Sequence, residues 1–292
     1  MVYVKRIELP SEFAEIEFIK NEKHTCFNTF YPFKIFPEKG LSSVELDGIT
    51  LLYGGNGSGK STLLNVLAEK LGAVRYSDFN DAPLFEQYVR MCSLDYLRQP
   101  RRSVVLTSDD VFDYTLNARS VNESIDERRQ RLFDKYAETH WEAVKNHDIL
   151  KLNGLDDYER WSETREILSP KRSQSAYVRS RTVRDVDLHS NGETAMKYFL
   201  DRIEEDALYL LDEPENSLSV ELQTNLAEYI EATARATRSQ FVIATHSPIL
   251  LSMKGARVYN LDSYPASVCH WTELPNVRRY FDFFMDHKDE FL

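Results

Sequence analysis

The sequence predicts an α/β fold with a mostly parallel central sheet flanked by helices. Short apolar runs rich in Leu, Ile and Val alternate along the chain with longer segments of helical periodicity. These runs have few polar positions, which is typical of strands that helices cover on both faces. The predicted core strands are residues 49–53, 103–107, 207–211 and 240–245, and the predicted helices are residues 60–71, 84–97, 192–205 and 220–235.

Residues 1–8 alternate between apolar and polar side chains, as an amphipathic strand does. They lack the apolar core of a signal peptide, and the longest mostly apolar stretch, residues 241–253, is interrupted by polar residues and a proline. The three cysteines show neither metal-binding nor disulfide spacing. We therefore expect a cytoplasmic protein without a membrane span.

The overall charge limits the kinds of partner. Acidic residues outnumber basic ones by 47 to 36, which gives a formal net charge of −11. This balance disfavours a broad surface for nucleic acids or anionic membranes. The hydrophobic fraction of 42% allows a sizeable core and argues against general disorder.

The strongest motif occupies residues 54–62, between the strand 49–53 and the helix 60–71, and fits the pattern G-x-x-x-x-G-K-[ST]. Its glycines allow backbone N–H groups to surround phosphate oxygens, and the helix N-terminus adds positive potential. Lys60 is expected to reach the β- and γ-phosphates of a nucleoside triphosphate, and Ser61 to help hold Mg²⁺. The predicted nucleotide-binding residues of this loop are Gly54, Asn56, Gly57, Ser58, Gly59, Lys60, Ser61 and Thr62.

A second motif places Asp212 and Glu213 at the end of the buried strand 207–211. Ligands bind at the carboxyl ends of the strands in such sheets, so both carboxylates are expected close to the glycine-rich loop. Asp212 is predicted to hold Mg²⁺. Glu213 is predicted to act as the general base that takes a proton from an attacking water.

Residues 113–187 differ in character and are interpreted as a helical insertion in a core formed by residues 1–112 and 188–292. Between residues 122 and 150, apolar side chains recur at helical spacing among many charges, which is typical of a surface helix with one apolar stripe. Residues 156–168 continue this pattern, and residues 169–175 have the composition of a loop.

Two shorter motifs complete an ordered series. Ser190-Asn191-Gly192-Glu193 opens the helix before the strand 207–211, and Thr245-His246-Ser247-Pro248 ends the strand 240–245. With this series the chain resembles the ABC-type ATPases, and more closely the stand-alone soluble ATP-binding proteins related to the RecF, SMC and OLD ATPases. The resemblance covers most of the core and does not cover the insertion.

The resemblance implies ATP and Mg²⁺ as ligands and hydrolysis of ATP to ADP and phosphate, with Glu213, Lys60 and His246 as the catalytic residues. It also implies an ATP-dependent homodimer in which two nucleotide domains pack head to tail. In that arrangement the signature residues of one subunit close on the γ-phosphate bound by the other, and the loop 217–219 crosses the interface. The implied signature residues are Ser190, Asn191 and Gly192.

The chain departs from the family pattern at two places. His189 and Asn191 replace the usual Leu and Gly of the signature, and Asp109 follows the strand 103–107 where a Gln is usual. Asp109 is predicted as a substitute oxygen ligand for Mg²⁺. The departures bear on the rate of hydrolysis and leave nucleotide binding unaffected.

Residues 171–184 are locally basic within the acidic chain, through Lys171, Arg172, Arg179, Arg181 and Arg184. Such a cluster suits a phosphate backbone, because bound cationic side chains release counterions from DNA. A mobile loop that borders the ATP site and a solvated flexible loop are the other interpretations.

Three functions remain open from the sequence. The first is an ATPase in DNA repair or antiviral defence that controls a separately encoded effector or nuclease. The second is the energy subunit of a membrane transporter. The third is a nucleotide-controlled binding module with little turnover.

Overall fold

The computed structural model describes residues 2–22, 30–79, 81–145, 164, 167, 174–181 and 191–291. The chain divides into two compact units, one formed by residues 1–113 with 190–292 and the other by residues 114–189. The strands are β1 Val4–Glu8, β2 Ser43–Glu45, β3 Ile49–Tyr53, β4 Ser93–Tyr96, β5 Arg102–Thr107, β6 Ala207–Asp212, β7 Gln240–Ala244, β8 Arg257–Asn260 and β9 Ser267–Val268. The helices are α1 Glu12–Asn21, α2 Lys60–Leu71, α3 Phe85–Met91, α4 Ser108–Lys145, α5 Gln174–Arg181, α6 Asn191–Arg202, α7 Val220–Ala236, α8 Pro248–Leu251 and α9 Pro275–Asp286.

The first unit is built on a six-stranded sheet with the strand order β5-β6-β7-β3-β8-β9. All neighbours are parallel except β8 and β9, so the predicted mostly parallel sheet is confirmed. Strands β3, β6 and β7 are adjacent and point the same way, and Asp212 at the end of β6 pairs with Ala244 at the end of β7. The loops that follow these three strands therefore meet at one edge of the sheet.

A second, antiparallel sheet of three strands has the order β2-β1-β4. Its strand β4 lies within residues 84–97, which were predicted to form one helix; that prediction is wrong beyond Met91. The helix α3 ends because Cys92 is extended, and the following residues pair with β1. The ion pair between Arg6 and Asp95, at 2.7 Å, joins the two strands. Pairing with a strand distant in sequence outweighs local helical periodicity here.

A buried glutamine attaches the small sheet to the large one. The Gln240 side chain accepts hydrogen bonds from the N–H groups of Tyr3 (2.8 Å) and Val4 (3.1 Å) and donates to the carbonyls of Val4 (2.9 Å) and Asp47 (3.1 Å). All its polar atoms are thus paired, as a fully buried amide requires.

Helix α2 carries the residues after the glycine-rich loop onto the sheet. It spans the predicted residues 60–71 and buries an apolar face that includes Leu63, Leu64 and Leu67. Gly72 ends it in the left-handed conformation, and its N–H bonds to the carbonyls of Ala68 and Glu69. This packing holds the first turn of α2 rigidly at the ligand-binding edge.

Helix α4 begins earlier than the sequence predicted. It starts at Ser108, directly after β5, rather than near residue 122. Asp110 accepts a hydrogen bond from the N–H of Thr107 (2.8 Å), and the Thr107 hydroxyl accepts one from the N–H of Asp110 (3.1 Å). These reciprocal bonds satisfy N–H groups of the first turn, and the pattern T-x-x-D is the sequence signal for them.

The described part of the second unit is helical and has a small apolar cluster. Ile167 and Val178 are buried and pack against Leu132, Phe133 and Tyr136 of α4. Residues 174–181 form α5, so the predicted loop 169–175 is wrong at its last two positions. Residues 169–173 lie outside the described part of the chain, as does the predicted helix 156–168 apart from residues 164 and 167.

Helices α6 and α7 match the predicted helices 192–205 and 220–235 to within a few residues, and β5, β6 and β7 match the predicted strands. In the part of the chain that the structure describes, no helix is both long and apolar enough to cross a lipid bilayer.

Candidate nucleotide site

The glycine-rich loop connects β3 to α2 and forms a small cradle. Gly57 and Gly59 have φ angles of 79° and 95°, in the left-handed region that glycine tolerates best. A Cβ atom on Gly59 would approach Cγ2 of Ile35 to 3.0 Å. The cradle has a volume of about 200 Å³ and is lined by Asn56, Gly57, Ser58, Gly59, Lys60, Ser61, Thr62 and Glu213.

Lys60 is the first residue of α2 and is only 4% exposed. Its Nζ donates hydrogen bonds to the carbonyls of Gly54 (2.8 Å) and Gly55 (3.3 Å). The same nitrogen lies 2.8 Å from Nε2 of His246 and 3.8 Å from Oε1 of Glu213. The structure therefore brings together the three residues predicted to be catalytic.

Ser61 and Asp212 form the predicted metal pair. The Ser61 hydroxyl donates to Oδ1 of Asp212 at 3.0 Å, although the residues are 151 positions apart in sequence. Burial raises the pKa of Asp212 from 3.8 to about 6, the nearby Glu213 carboxylate adds to this rise, and the Ser61 hydrogen bond opposes it. A hydroxyl and a carboxylate at this spacing suit Mg²⁺, which prefers oxygen ligands.

Glu213 follows directly after β6 in a constrained backbone conformation. Its φ and ψ angles are 48° and 52°, which costs a non-glycine residue about 1–3 kcal/mol. This conformation aims Oε1 at Nε2 of His246, 3.3 Å away, while Oε2 accepts a hydrogen bond from Asn216 at 3.0 Å. Backbone strain at this position is consistent with a functional role for the side chain.

A larger cavity of about 610 Å³ lies beside the metal pair. The Arg75 guanidinium stacks over the Phe79 ring at 4.2 Å and donates to the side chain of Asn65 at 2.8 Å. Burial lowers the pKa of Arg75, yet guanidinium stays charged at neutral pH. The cavity is lined by Ser61, Asn65, Arg75, Ser77, Asp78, Phe79, Thr107, Ser108, Asp109, Asp212, Glu213 and Asn216.

Asp109 lies exposed in the first turn of α4 and lines this cavity with Asp212. Within the described residues, no group of three or more His, Cys, Asp or Glu side chains forms a metal cluster. The role of Asp109 as a third oxygen ligand stays a prediction. Its neighbour Asp110 is buried and caps α4 instead.

The loop also has contacts that sequence reasoning missed. Oδ2 of Asp262, just beyond β8, accepts a hydrogen bond from the N–H of Gly55 at 2.7 Å, and the Tyr31 hydroxyl donates to Thr62 at 3.0 Å. Asp262 belongs to no motif recognised in the sequence, and Tyr31 belongs to a segment that the family resemblance covers, but no sequence pattern pointed to either contact. The Asp262 contact holds the backbone of the loop, and the Tyr31 contact holds the Thr62 side chain at the start of α2.

The signature residues are described only in part. Ser190 lies outside the described residues, and of Asn191 the structure describes only the backbone, at the start of α6. A Cβ atom on Gly192 would lie 2.7 Å from Cδ1 of Leu222, so glycine allows α6 to approach α7 closely. Contact of these three residues with nucleotide stays a prediction.

The basic segment 171–184 is likewise described only in part. Lys171, Arg172 and Arg184 lie outside the described residues, as does the side chain of Arg179. Arg181 is the last residue of α5. Contact with DNA therefore stays a prediction.

Replacing Gly59 by alanine tests the cradle geometry. The new methyl group meets Ile35, and left-handed backbone costs alanine roughly 1–2 kcal/mol, so we expect a lower melting temperature and at least about tenfold weaker binding of a fluorescent ATP analogue. Gly255, with φ 74° and open space around it, is the matched control. Gly255→Ala is expected to lower the melting temperature while leaving nucleotide binding intact. Equal nucleotide binding by Gly59→Ala and wild type would contradict the cradle.

Comparisons with known proteins identify a family and a relative that this chain resembles. A family described as "AAA domain, putative AbiEii toxin, Type IV TA system" matches residues 99–252. An uncharacterized ABC transporter ATP-binding protein/permease of Saccharomyces cerevisiae is 24% identical over 265 residues, which cover 82% of this chain and 18% of the yeast protein. This chain thus spans less than a fifth of the length of that relative.

Two solved structures are similar to this chain in fold. An inward-facing putative metal-chelate type ABC transporter has 17% identity and a TM-score of 0.33, with 80% of this chain and 77% of the other covered. An Smc head domain from Pyrococcus furiosus, bound to the C-terminal domain of ScpA, has 12% identity and a TM-score of 0.41, with 97% and 100% covered.

The family match covers more than half of the chain. It includes β6 and β7 and with them Asp212, Glu213 and His246, which lie around the glycine-rich loop. The chain therefore belongs to the family described as "AAA domain, putative AbiEii toxin, Type IV TA system".

Proposed function

We propose that this protein binds ATP with Mg²⁺ and hydrolyses it, and that nucleotide-driven dimerisation regulates or powers a partner. The observation that carries the hydrolytic part is the meeting of the two motifs: Ser61 lies 3.0 Å from Asp212, and Lys60 lies 3.8 Å from Glu213. Phosphate-binding groups and acidic groups thus share one site.

The loop fits the triphosphate tail of ATP. Backbone N–H groups at the N-terminus of α2 supply directed donors, and Lys60 supplies a positive charge that the surrounding protein shields from water. The buried Ser58 hydroxyl has no hydrogen-bond partner within the described residues, which leaves a donor for a phosphate oxygen.

The two carboxylates of the acidic pair would have different roles, one in metal binding and the other in proton transfer. Ser61 and Asp212 would hold Mg²⁺, which when bound neutralises charge on the phosphate oxygens. Glu213 would accept the proton of the attacking water, and its position beside Lys60 and His246 directs Oε1 toward the cradle. His246 would hydrogen-bond the γ-phosphate and thereby sense hydrolysis.

Dimerisation would complete the site. Ser190, Asn191 and Gly192 of a second copy would close on the γ-phosphate as an anion-binding helix N-terminus, and residues 217–219 would cross the interface. The insertion would transmit the closing and opening of the dimer to a separately encoded effector or nuclease. The family's description names a toxin of type IV toxin–antitoxin systems, and we propose that the regulated process is antiviral defence or another DNA-related process.

The transporter alternative is supported by the yeast relative, whose name describes an ABC transporter ATP-binding protein/permease. The two roles differ in what stimulates turnover. Stimulation by DNA ends supports the first role, and stimulation by a co-purifying membrane subunit supports the second.

Lys60→Ala tests the proposed hydrolysis directly. We expect wild-type protein to release phosphate from ATP only when Mg²⁺ is present. Loss of charge-assisted hydrogen bonds of about 1.5–3 kcal/mol is expected to weaken ATP binding in Lys60→Ala by about 10- to 100-fold. Lys70→Ala is the matched control, because Lys70 lies on the same helix and donates to the carbonyl of Val89. Turnover that is equal in wild type and Lys60→Ala would contradict the proposal.

A further inference from the structure

A third carboxylate links the acidic turn to the histidine turn. Glu215 lies in the short helical turn Pro214–Ser217 that follows β6. Its Oε1 accepts hydrogen bonds from the Thr245 hydroxyl (2.7 Å), the N–H of His246 (2.6 Å) and the N–H of Ser247 (3.2 Å). One oxygen therefore binds three consecutive residues of the turn after β7.

These bonds hold the backbone from which the His246 imidazole extends. Hydrogen bonds to a charged acceptor are roughly twice as strong as neutral ones, and bonds to successive residues leave the turn little freedom to rotate. On the other side of His246, the Ser247 hydroxyl accepts from the N–H groups of Ile249 and Leu250 at the start of α8 and donates to Gln223 at 2.6 Å. The turn is thus held from both sides.

The surroundings of the second oxygen of Glu215 suit a glutamate side chain better than a glutamine side chain. Oε2 is buried and has no hydrogen-bond partner within the described residues. A glutamine could keep one acceptor oxygen toward the turn, but its NH₂ group would then occupy the Oε2 position without an acceptor. A carboxylate fits this position because it offers two acceptor oxygens and no donor that would need a partner.

The held turn faces the reacting groups. Nε2 of His246 lies 2.8 Å from Nζ of Lys60 and 3.3 Å from Oε1 of Glu213. A small displacement of the turn would change both distances, and a misplacement of 1 Å can cost about 100-fold in rate.

We propose that Glu215 is a positioning residue that sets the His246 imidazole against Lys60 and Glu213 and couples the acidic turn to the histidine turn. This inference rests on the proposed function, because it assigns Glu215 a role in the same hydrolysis. Glu215 acts through His246 and does not itself touch the nucleotide.

A double-mutant cycle in the full-length chain tests the coupling. Glu215→Ala, His246→Ala and the double variant are compared in single-turnover cleavage at saturating ATP and Mg²⁺. Glu215→Ala is expected to lower the cleavage rate by about 10- to 100-fold with a smaller change in ATP affinity. The double variant is expected to match His246→Ala, since a residue that acts through another adds nothing once that residue is gone. Glu215→Gln is expected to lie between wild type and Glu215→Ala.

Glu231→Ala is the matched control, because Glu231 also accepts from a backbone N–H, that of Lys254 at 2.8 Å, but lies outside the site described above. It is expected to leave cleavage unchanged. Wild-type cleavage rates in folded Glu215→Ala, or single effects that multiply in the double variant, would overturn the positioning role.

A readout without hydrolysis separates this inference from the proposed function. The histidine side-chain resonances of isotope-labelled protein, with His246 assigned from His246→Ala, report the imidazole environment in the absence of ATP. Glu215→Ala is expected to shift the His246 resonances, and Glu231→Ala is not. If wild type does not hydrolyse ATP but the shift occurs, the proposed function fails and the positioning contact stands. An unchanged His246 resonance in Glu215→Ala overturns the positioning contact itself.

Discussion

Glu213→Gln is expected to lower ATP turnover by about 10²- to 10⁴-fold while ATP binding persists. Glutamine preserves the size of the side chain and an acceptor for Asn216, which donates to Oε2 of Glu213 at 3.0 Å. It cannot accept the proton of the attacking water, so only the chemical step is affected. The measurements are the steady-state kcat and the dissociation constant of a fluorescent ATP analogue.

Two comparisons make this prediction specific. Glu228→Gln changes an exposed glutamate of α7 and is expected to leave kcat unaltered. Lys60→Ala is expected to weaken binding, whereas Glu213→Gln is expected to spare it, so the two variants separate binding from chemistry. Equal, near-zero turnover in wild type and Glu213→Gln would instead favour the nucleotide-controlled binding module.

The same variant tests dimerisation. If hydrolysis opens an ATP-bound dimer, Glu213→Gln with ATP and Mg²⁺ is expected to accumulate as dimers in light scattering, while wild type returns to its resting state as ATP is consumed. Monomers of Glu213→Gln at high concentration and saturating ATP would contradict the proposed sandwich. The hydrolysis prediction would not depend on that result.

Asp212→Asn is expected to stabilise the metal-free protein while weakening Mg²⁺ binding. Folding raises the pKa of Asp212 from 3.8 to about 6, so the folded state favours the protonated carboxyl. Its stabilising contribution is fully present below about pH 4 and is lost as the pH rises through about 6. At pH 7.5 the buried, ionised carboxylate therefore lowers the free energy of unfolding.

Asparagine removes that ionisation and retains an acceptor for the Ser61 hydroxyl, which lies 3.0 Å from Oδ1. The expected gain in the free energy of unfolding at pH 7.5 without Mg²⁺ is on the order of 2–3 kcal/mol. Denaturant unfolding at pH 7.5 and near pH 4 measures it, and the gain is expected to vanish at the lower pH. Asp201→Asn, at an exposed position of α6, is the control that should change stability little.

Mg²⁺ with ATP is expected to reverse the order of stability of wild type and Asp212→Asn. Wild type is expected to gain stability from Mg²⁺ with ATP, because the metal binds the folded state through Asp212, and Asp212→Asn is expected to gain much less. A gain for Asp212→Asn that persists near pH 4, or a loss of stability at pH 7.5, would contradict the assignment of the raised pKa to this carboxylate.

Local sequence patterns predicted the elements that carry the site. The helix over residues 60–71 and the strands near residues 103–107, 207–211 and 240–245 are confirmed, because the helix has clear apolar periodicity and the strands are continuous apolar runs of ordinary strand length. The helix predicted over residues 84–97 is wrong beyond Met91, because residues 93–96 pair with β1, some ninety positions earlier. The early start of α4 was missed although Thr107 and Asp110 carry a capping pattern.

Local sequence is enough to predict that residues 54–62 form a phosphate-type loop, because glycine conformations and the following helix are set by neighbours in the chain. It also predicts that an acidic pair ends a buried strand. Three contacts became visible in the folded protein alone: Ser61 bonds to Asp212, Asp262 accepts from the N–H of Gly55, and Glu215 accepts from the His246 turn. Those contacts depend on β6, β7, β3 and β8 being neighbours in that order, which the packing of the whole sheet decides and no local pattern encodes.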